Sequence, residues 1–224
     1  MNGSLITFEG ISGMGKTEYF NRLKTIYKDS SNVKFNGEIT DGNHKGYAQT
    51  IFEILMSTNS RFFDLGNPKA ETLLIAAKQA FDEEAYIIPK LNQGNIVISD
   101  RGYDTICIVE GIMMAKKYGD TAIKYCNEIY NFLYNYNILP NRTILLTGDV
   151  ESSIERAEGR DKNKYTCEER RILLECAELY NYYSNIYTNR FEVINRDRED
   201  EEVLYDIDSV VKLELKKEGN RIWK

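Results

Sequence analysis

Near its N-terminus the sequence reads Gly10-Ile11-Ser12-Gly13-Met14-Gly15-Lys16-Thr17. This is the G-x-x-x-x-G-K-[ST] spacing of a phosphate-binding loop. Residues 5–9 precede it and form an apolar, partly β-branched run that predicts a buried strand. Apolar side chains at helical spacing follow it as far as Tyr27. Because the loop lies between a strand and a helix, its backbone N–H groups and the helix dipole are expected to bind phosphate.

Two side chains of this loop add chemistry of their own. Lys16 is long enough to reach the β- and γ-phosphates of a nucleotide, and the Thr17 hydroxyl can ligate Mg²⁺. A glycine-rich turn that binds nothing would leave this Lys-Thr pair unexplained. Residues 10–17 are therefore predicted to bind nucleotide phosphates.

The composition is that of an ordinary globular domain. The chain has 224 residues, a net charge of −6 and no apolar run approaching the roughly 20 residues needed to span a bilayer. We expect one domain over residues 1–224, with no signal peptide and no membrane association. The acidic balance argues against a nucleic-acid partner, which would favour a basic face.

The cysteines give no sign of a metal site or of a disulfide framework. Cys107, Cys126, Cys167 and Cys176 lack any C-x-x-C spacing, and the chain has a single histidine. A zinc site is therefore not expected. Most of these cysteines fall at apolar positions of predicted helices, which is typical of reduced thiols in a cytoplasmic protein.

Short apolar segments alternate with helical patterns along the chain. The segments are residues 5–9, 33–36, 95–99, 143–147 and 191–195. Their order predicts an α/β fold with a five-stranded parallel sheet and helices on both faces. Helix starts are indicated by Asn67-Pro68, by Asp120 and by a capping-box pattern from Thr166 to Glu169, and a last helix is predicted near residues 200–215.

A second sign of chemistry is the pair Asp100-Arg101, directly after the predicted strand 95–99. An acidic residue at the carboxyl end of a buried strand, beside a phosphate-binding loop, can hold the shell of a Mg²⁺ ion. Arg101 would then point towards a phosphate that faces the loop. A strand that simply ends in a polar turn is the alternative, and the upstream loop favours the functional interpretation.

The third sign is a charged segment at residues 155–164. Arg156 and Arg160 are four residues apart and would share one helix face. Phosphoryl transfer needs charge to be neutralised and water to be excluded, and a mobile lid carrying arginines would do both. We expect such a lid over about residues 156–165. A solvated, charged helix end is the alternative.

These motifs together resemble thymidylate kinases from about residue 5 to residue 195. The most specific part is Ala70-Glu71-Thr72-Leu73-Leu74-Ile75-Ala76-Ala77, because the loop and the Asp-Arg pair recur in many kinases. The resemblance implies the P-loop kinase fold, a three-layer sandwich with a small lid. It also implies ATP as donor at residues 10–17 and Mg²⁺ as cofactor at Thr17 and Asp100. By the same resemblance, the catalytic cations of this chain would be Lys16, Arg101, Arg156 and Arg160.

The sequence also departs from the family pattern on the acceptor side. Gln79 stands where the family has an arginine that clamps the acceptor phosphate, and Gly37 begins a segment where another such arginine is lost. Ile75 stands where the family has an aromatic residue that stacks on the thymine, and Gly102 stands where it has a tyrosine. Ser12 replaces the carboxylate that contacts the sugar hydroxyl in the family. Gly13 stands where some members carry an arginine in the phosphate-binding loop. Members that lack this arginine have their catalytic arginines in the lid, and Arg156 and Arg160 fit that variant. Candidates for acceptor binding are Glu9, Glu38, Gln79, Arg101, Thr105 and Glu110.

The resemblance implies transfer of the γ-phosphoryl group of ATP to a dTMP-like nucleoside monophosphate. Two alternatives stay open, namely a kinase of a nucleoside or other small molecule, and an ATP-binding homologue without catalysis. A GTP-dependent switch is disfavoured because residues 147–150 supply no N-K-x-D motif. The resemblance also implies a homodimer, for which the apolar residues of a predicted helix at 104–118 are available.

Overall fold

The computed structural model describes residues 2–37, 47–57 and 60–221. Its centre is a parallel sheet with the strand order β2-β3-β1-β4-β5. The strands are β1 (Ser4–Glu9), β2 (Val33–Asn36), β3 (Ile96–Asp100), β4 (Arg142–Thr147) and β5 (Phe191–Asn195). Every residue of β1 and β3 is buried, so both faces are covered at the centre of the sheet. The predicted fold class is confirmed, and each predicted strand is correct to within one residue at either end.

Helices occupy most of the remaining described chain. They are α1 (Lys16–Ile26), α2 (Tyr47–Leu55), α3 (Pro68–Asp82), α4 (Ile88–Asn92), α5 (Tyr103–Tyr118), α6 (Ala122–Tyr134), α7 (Val150–Asp161), α8 (Cys167–Ile186) and α9 (Asp200–Arg221). A π-helical turn, Glu83–Ile87, joins α3 to α4. None of the helices in the described part of the chain is long and apolar enough to cross a membrane.

The helices α3, α6 and α8 begin at or near the predicted residues, but the side chains that cap them are not always the predicted ones. The capping box of α8 is confirmed, because Thr166 and Glu169 each hydrogen-bond the other's backbone N–H. Helix α6 starts later than predicted, since its cap is Thr121. Helix α3 does begin at Pro68, but the Asn67 side chain makes no capping bond. Instead Glu71 Oε1 reaches back and accepts from the Asn67 N–H at 2.6 Å.

Helix α5 contributes to the core of its own chain. Ile106, Ile108, Ile112 and Met113 are all buried there. The prediction that these residues are available to a second copy is therefore wrong. Sequence alone cannot distinguish an apolar stripe that packs inside the chain from one that packs between chains.

Candidate active site

The phosphate-binding loop lies between the end of β1 and the start of α1. Its glycines at positions 10, 13 and 15 have φ angles of 129°, 84° and 85°, which favour glycine. The Lys16 side chain folds back over the loop, and its Nζ donates to Gly10 O at 2.7 Å and to Ile11 O at 2.8 Å. The loop is thus already shaped around the position where the lysine would meet phosphate.

Helix α7 packs directly on this loop at Gly13. A Cβ atom added to Gly13 would lie 1.8 Å from Ser153 O, so no larger residue fits. Arg156 reaches the same place from α7, and its Nε donates to Gly13 O at 3.0 Å. Arg156 thus places a guanidinium beside the loop residue at which some family members are expected to carry an arginine.

Thr17 and Asp100 meet at the mouth of the loop. Strands β1 and β3 are neighbours with Phe8 opposite Asp100, and Thr17 Oγ1 donates to Asp100 Oδ2 at 2.9 Å. Hydroxyl and carboxylate oxygens suit Mg²⁺, so these two residues fit the predicted metal position. The described residues contain no group of three or more His, Cys, Asp or Glu that could hold a metal. Phosphate oxygens and water would have to complete the coordination shell.

Glu9, the last residue of β1, is a fully buried acidic residue. Glu9 Oε2 accepts from Thr105 Oγ1 and from the Tyr180 hydroxyl, the latter at 2.9 Å. Glu9 Oε1 is also buried and has no hydrogen-bond partner among the described residues. Burial, followed by the charge of Asp104, raises the pKa of Glu9 to about 7. The structure therefore brings together Glu9 and Thr105, both candidates for acceptor binding, and places Tyr180 beside them.

A second buried acidic residue, Glu110, lies in the middle of α5. Glu110 is 1% exposed and accepts from Thr72 Oγ1 at 3.2 Å. Burial raises its pKa to about 8, and the negative charge of Glu71 contributes to this shift. A pKa of about 8 favours the protonated form of Glu110 at pH 7, in which the side chain has one O–H donor and one carbonyl acceptor.

The other acceptor-side candidates are less well placed for phosphate. Gln79 Nε2 donates to Glu83 Oε1 at 3.0 Å, so this amide already has a partner on its own helical segment. Gly37 supplies no side chain. Glu38 lies outside the described residues. Of these acceptor-side positions, Arg101 is the one that brings a cation, and its Nη1 donates to Thr105 Oγ1 at 3.4 Å.

One cavity of about 730 Å³ connects the two sides of the site. It runs from the phosphate-binding loop past Arg101 and Gln79 to Glu110. Arg156 and Arg160, the arginines of the predicted lid, also line it. Its volume is within the usual range for small-molecule sites.

Arg61, Tyr180 and Arg196 are among the polar residues of this cavity that no sequence motif indicated. Tyr180 belongs to the apolar stripe of α8, which predicts only a core position. Arg61 and Arg196 lie in segments without a recognisable motif. Their contribution depends on contacts across the chain, and no spacing in the sequence reports such contacts.

A phosphate-binding loop, an Asp-Arg pair and two helix-borne arginines thus open into one cavity on a parallel sheet. This combination defines a P-loop phosphotransferase of the nucleotide kinase class. The sequence matches the family described as thymidylate kinase over residues 8–207. On this evidence the chain belongs to the thymidylate kinase family.

Individual relatives agree with that assignment. A thymidylate kinase of Mycoplasma mobile is 31% identical over 194 residues, covering 85% of this chain and 83% of the relative. One from Thermoanaerobacter sp. strain X514 is 30% identical over 213 residues, covering 95% and 98%. The crystal structure of thymidylate kinase from Ehrlichia chaffeensis has a similar fold, with a TM-score of 0.66 at 18% identity, covering 94% of this chain and 98% of that one.

Proposed function

We propose that this chain transfers the γ-phosphoryl group of ATP to a dTMP-like nucleoside monophosphate, with Mg²⁺ as cofactor. The observation that carries this proposal is the continuity of the cavity. Its donor end contains Lys16 and the Thr17–Asp100 pair, and its acceptor end contains Arg101 and Glu110. A donor and an acceptor can therefore meet without either leaving the protein.

The residues of the cavity have different roles at its donor and acceptor ends. The amides of residues 10–17 and Lys16 hold the donor phosphates. Thr17 and Asp100 would hold Mg²⁺, which would supply positive charge to the phosphates. Arg101 orients the acceptor phosphate. An oxygen of that phosphate forms the new bond to the γ-phosphorus as the bond to the β–γ bridging oxygen breaks, and ADP leaves. Arg156 and Arg160 neutralise the charge that moves.

The base would lie at the end of the cavity nearest Glu110. The side chain of Glu110, as a neutral carboxylic acid, has one hydrogen-bond donor and one acceptor next to each other. That pair matches a pyrimidine edge on which a carbonyl oxygen is next to a ring N–H. Glu9, Thr105 and Gln79 line or support the acceptor side between this end and Arg101.

The test is ADP release from Mg-ATP with dTMP, dUMP, dCMP and thymidine as acceptors, with Lys16→Ala as control. We expect turnover with dTMP that the Lys16→Ala variant abolishes. Turnover with thymidine alone would support the nucleoside alternative, to which the neutral Gln79 is better suited than an arginine. ATP binding without turnover of any acceptor would support the homologue without catalysis.

We further propose a homodimer in the cytoplasm. Leu73 of α3 and Tyr118 of α5 are 56% and 43% exposed, and they are more suitable for such an interface than the buried stripe of α5. All four cysteines are free thiols, which supports a reducing compartment. Sedimentation at micromolar concentration should give twice the mass of the chain, and Leu73→Asp should shift the protein towards monomer. A monomer at every concentration would contradict the proposed dimer.

A further inference from the structure

Arg61 links the acceptor wall of the cavity to the lid. It lies in the segment before α3, lines the cavity and has a side chain that is 19% exposed. Its Nη2 is 2.8 Å from Asp161 Oδ2, at the end of α7. Its guanidinium carbon is also 3.7 Å from the centre of the Tyr165 ring, within the range of a cation–π contact. Both partners belong to the lid.

Asp161 is a shared anchor for this part of the lid. Besides Arg61, it accepts from Arg160 Nε at 2.8 Å and from the Tyr165 hydroxyl at 2.7 Å. These bonds hold the pKa of Asp161 well below its usual range, the largest cause being the bond from Arg160. Asp161 is therefore a carboxylate throughout the physiological range of pH. It fixes Arg160, the neighbouring cation that faces the cavity.

The charges explain why a second arginine is useful here. If Asp161 paired with Arg160 alone, the pair would be neutral, and Arg160 would offer the phosphates little net charge. Arg61 gives Asp161 a second cationic partner, so the carboxylate does not depend on Arg160 alone for its counter-charge. Glu169 is farther away, with Oε1 3.9 Å from Arg61 Nε, and its other oxygen is used by the capping box of α8.

We propose that Arg61 is a positioning residue for phosphoryl transfer, which acts by holding Asp161 and Tyr165 so that Arg160 keeps its place and its charge at the cavity. This rests on the proposed function, in which Arg160 neutralises the transferring group. Arg61 also joins the acceptor wall to the donor-side lid, so that the two halves of the site are held together.

The test is a double-mutant cycle with Arg61→Ala, Arg160→Ala and the double variant. We expect Arg61→Ala to lower kcat by about 10- to 100-fold, the range for a misplaced catalytic group, with KM for ATP changed less than about twofold. The double variant should be no slower than Arg160→Ala, because Arg61 acts through Arg160. Arg61→Lys should recover part of kcat, since it keeps the charge and loses the planar stacking on Tyr165.

Arg171→Ala is the matched control, because Arg171 also bridges two acids, Glu168 and Glu175, but lies on the exposed face of α8. It should leave kcat unchanged. Losses that multiply in the double variant, or an unchanged kcat in Arg61→Ala, would overturn the proposal.

Hydrogen exchange of the amides of residues 157–165 in the nucleotide-free protein gives a readout that needs no acceptor. It should be faster in Arg61→Ala than in wild type or Arg171→Ala. Unchanged exchange would also overturn the proposal. Faster exchange in an enzyme that turns over no acceptor would locate the failure in the proposed function.

Discussion

Glu110 offers a test at the scale of one residue, because its proton is coupled to folding. The folded protein keeps this proton until about pH 8, whereas an unfolded glutamate loses it near pH 4.5. Between these values the unfolded chain binds fewer protons, so the free energy of unfolding falls as pH rises. Glu110→Gln removes the titration and keeps the size of the side chain. It should be more stable than wild type at pH 8, by about 4 kcal/mol, and nearly equally stable near pH 4.5.

Urea unfolding at several pH values between 5 and 8.5 measures this difference. The exposed acid Glu128 on α6 provides a control, since Glu128→Gln should unfold in parallel with wild type at every pH. A wild-type protein and a Glu110→Gln variant with the same dependence on pH would show that Glu110 is ionised in the folded state. The base-reading role argued from its neutral form would then be wrong.

Helix α7 and the phosphate-binding loop form the contact that is most informative at the scale of elements. Gly13 has a φ of 84°, and a Cβ atom there would meet Ser153 O. Gly13→Ala should therefore push α7 away from the loop, break the contact from Arg156 and weaken ATP binding by at least about tenfold, with a cost in stability of about 1–3 kcal/mol. Isothermal titration with ATP measures the first effect and thermal unfolding the second.

A matched glycine lies on α7 itself. Gly159 is in the helix, and a Cβ atom there would meet nothing within 4 Å. Gly159→Ala should raise stability by about 0.5–1 kcal/mol and leave ATP affinity unchanged. If both alanine variants bound ATP like wild type, α7 would have no part in shaping the loop.

The same two elements indicate how far the sequence could predict the site. The loop and the Asp100-Arg101 pair could be found because each is contiguous, and the strand before each is a short apolar run. The contact of Arg156 with Gly13 joins residues 143 positions apart, and no local pattern predicts it. The anchor formed by Arg61 and Asp161 was missed for the same reason. The apolar residues of α5 were predicted to contact a second copy, but they pack inside their own chain. Burial within a chain and burial in an interface require the same residue types, so the sequence does not distinguish the two.

At the scale of the whole molecule, a buried ion pair ties the sheet to the helices beside it. Asp104 of α5 is fully buried and accepts from two nitrogens of Arg190, at 2.6 and 2.7 Å, while Tyr130 and Thr143 donate to it as well. Asp104→Asn would leave Arg190 buried without its counter-ion. We expect a loss of about 3–5 kcal/mol in the free energy of unfolding.

Urea unfolding again provides the measurement, with Asp120→Asn as the control. Asp120 forms an exposed pair with Lys124 on α6, and its loss should leave the unfolding midpoint unchanged. Equal effects of the two substitutions would mean that the Asp104–Arg190 pair contributes no more than a surface contact. The network would then not explain how α5 and its site residues are held against the sheet.

The central claim is that one cavity carries a phosphoryl group from ATP to a nucleoside monophosphate. Its most direct test is phosphorus NMR of the wild-type enzyme with Mg-ATP and dTMP, following the nucleotide products over time. We expect the two phosphorus signals of dTDP to appear in step with ADP, one for one. Inorganic phosphate appearing with ADP while dTMP stays unchanged would contradict it, because the γ-phosphoryl group would then have passed to water.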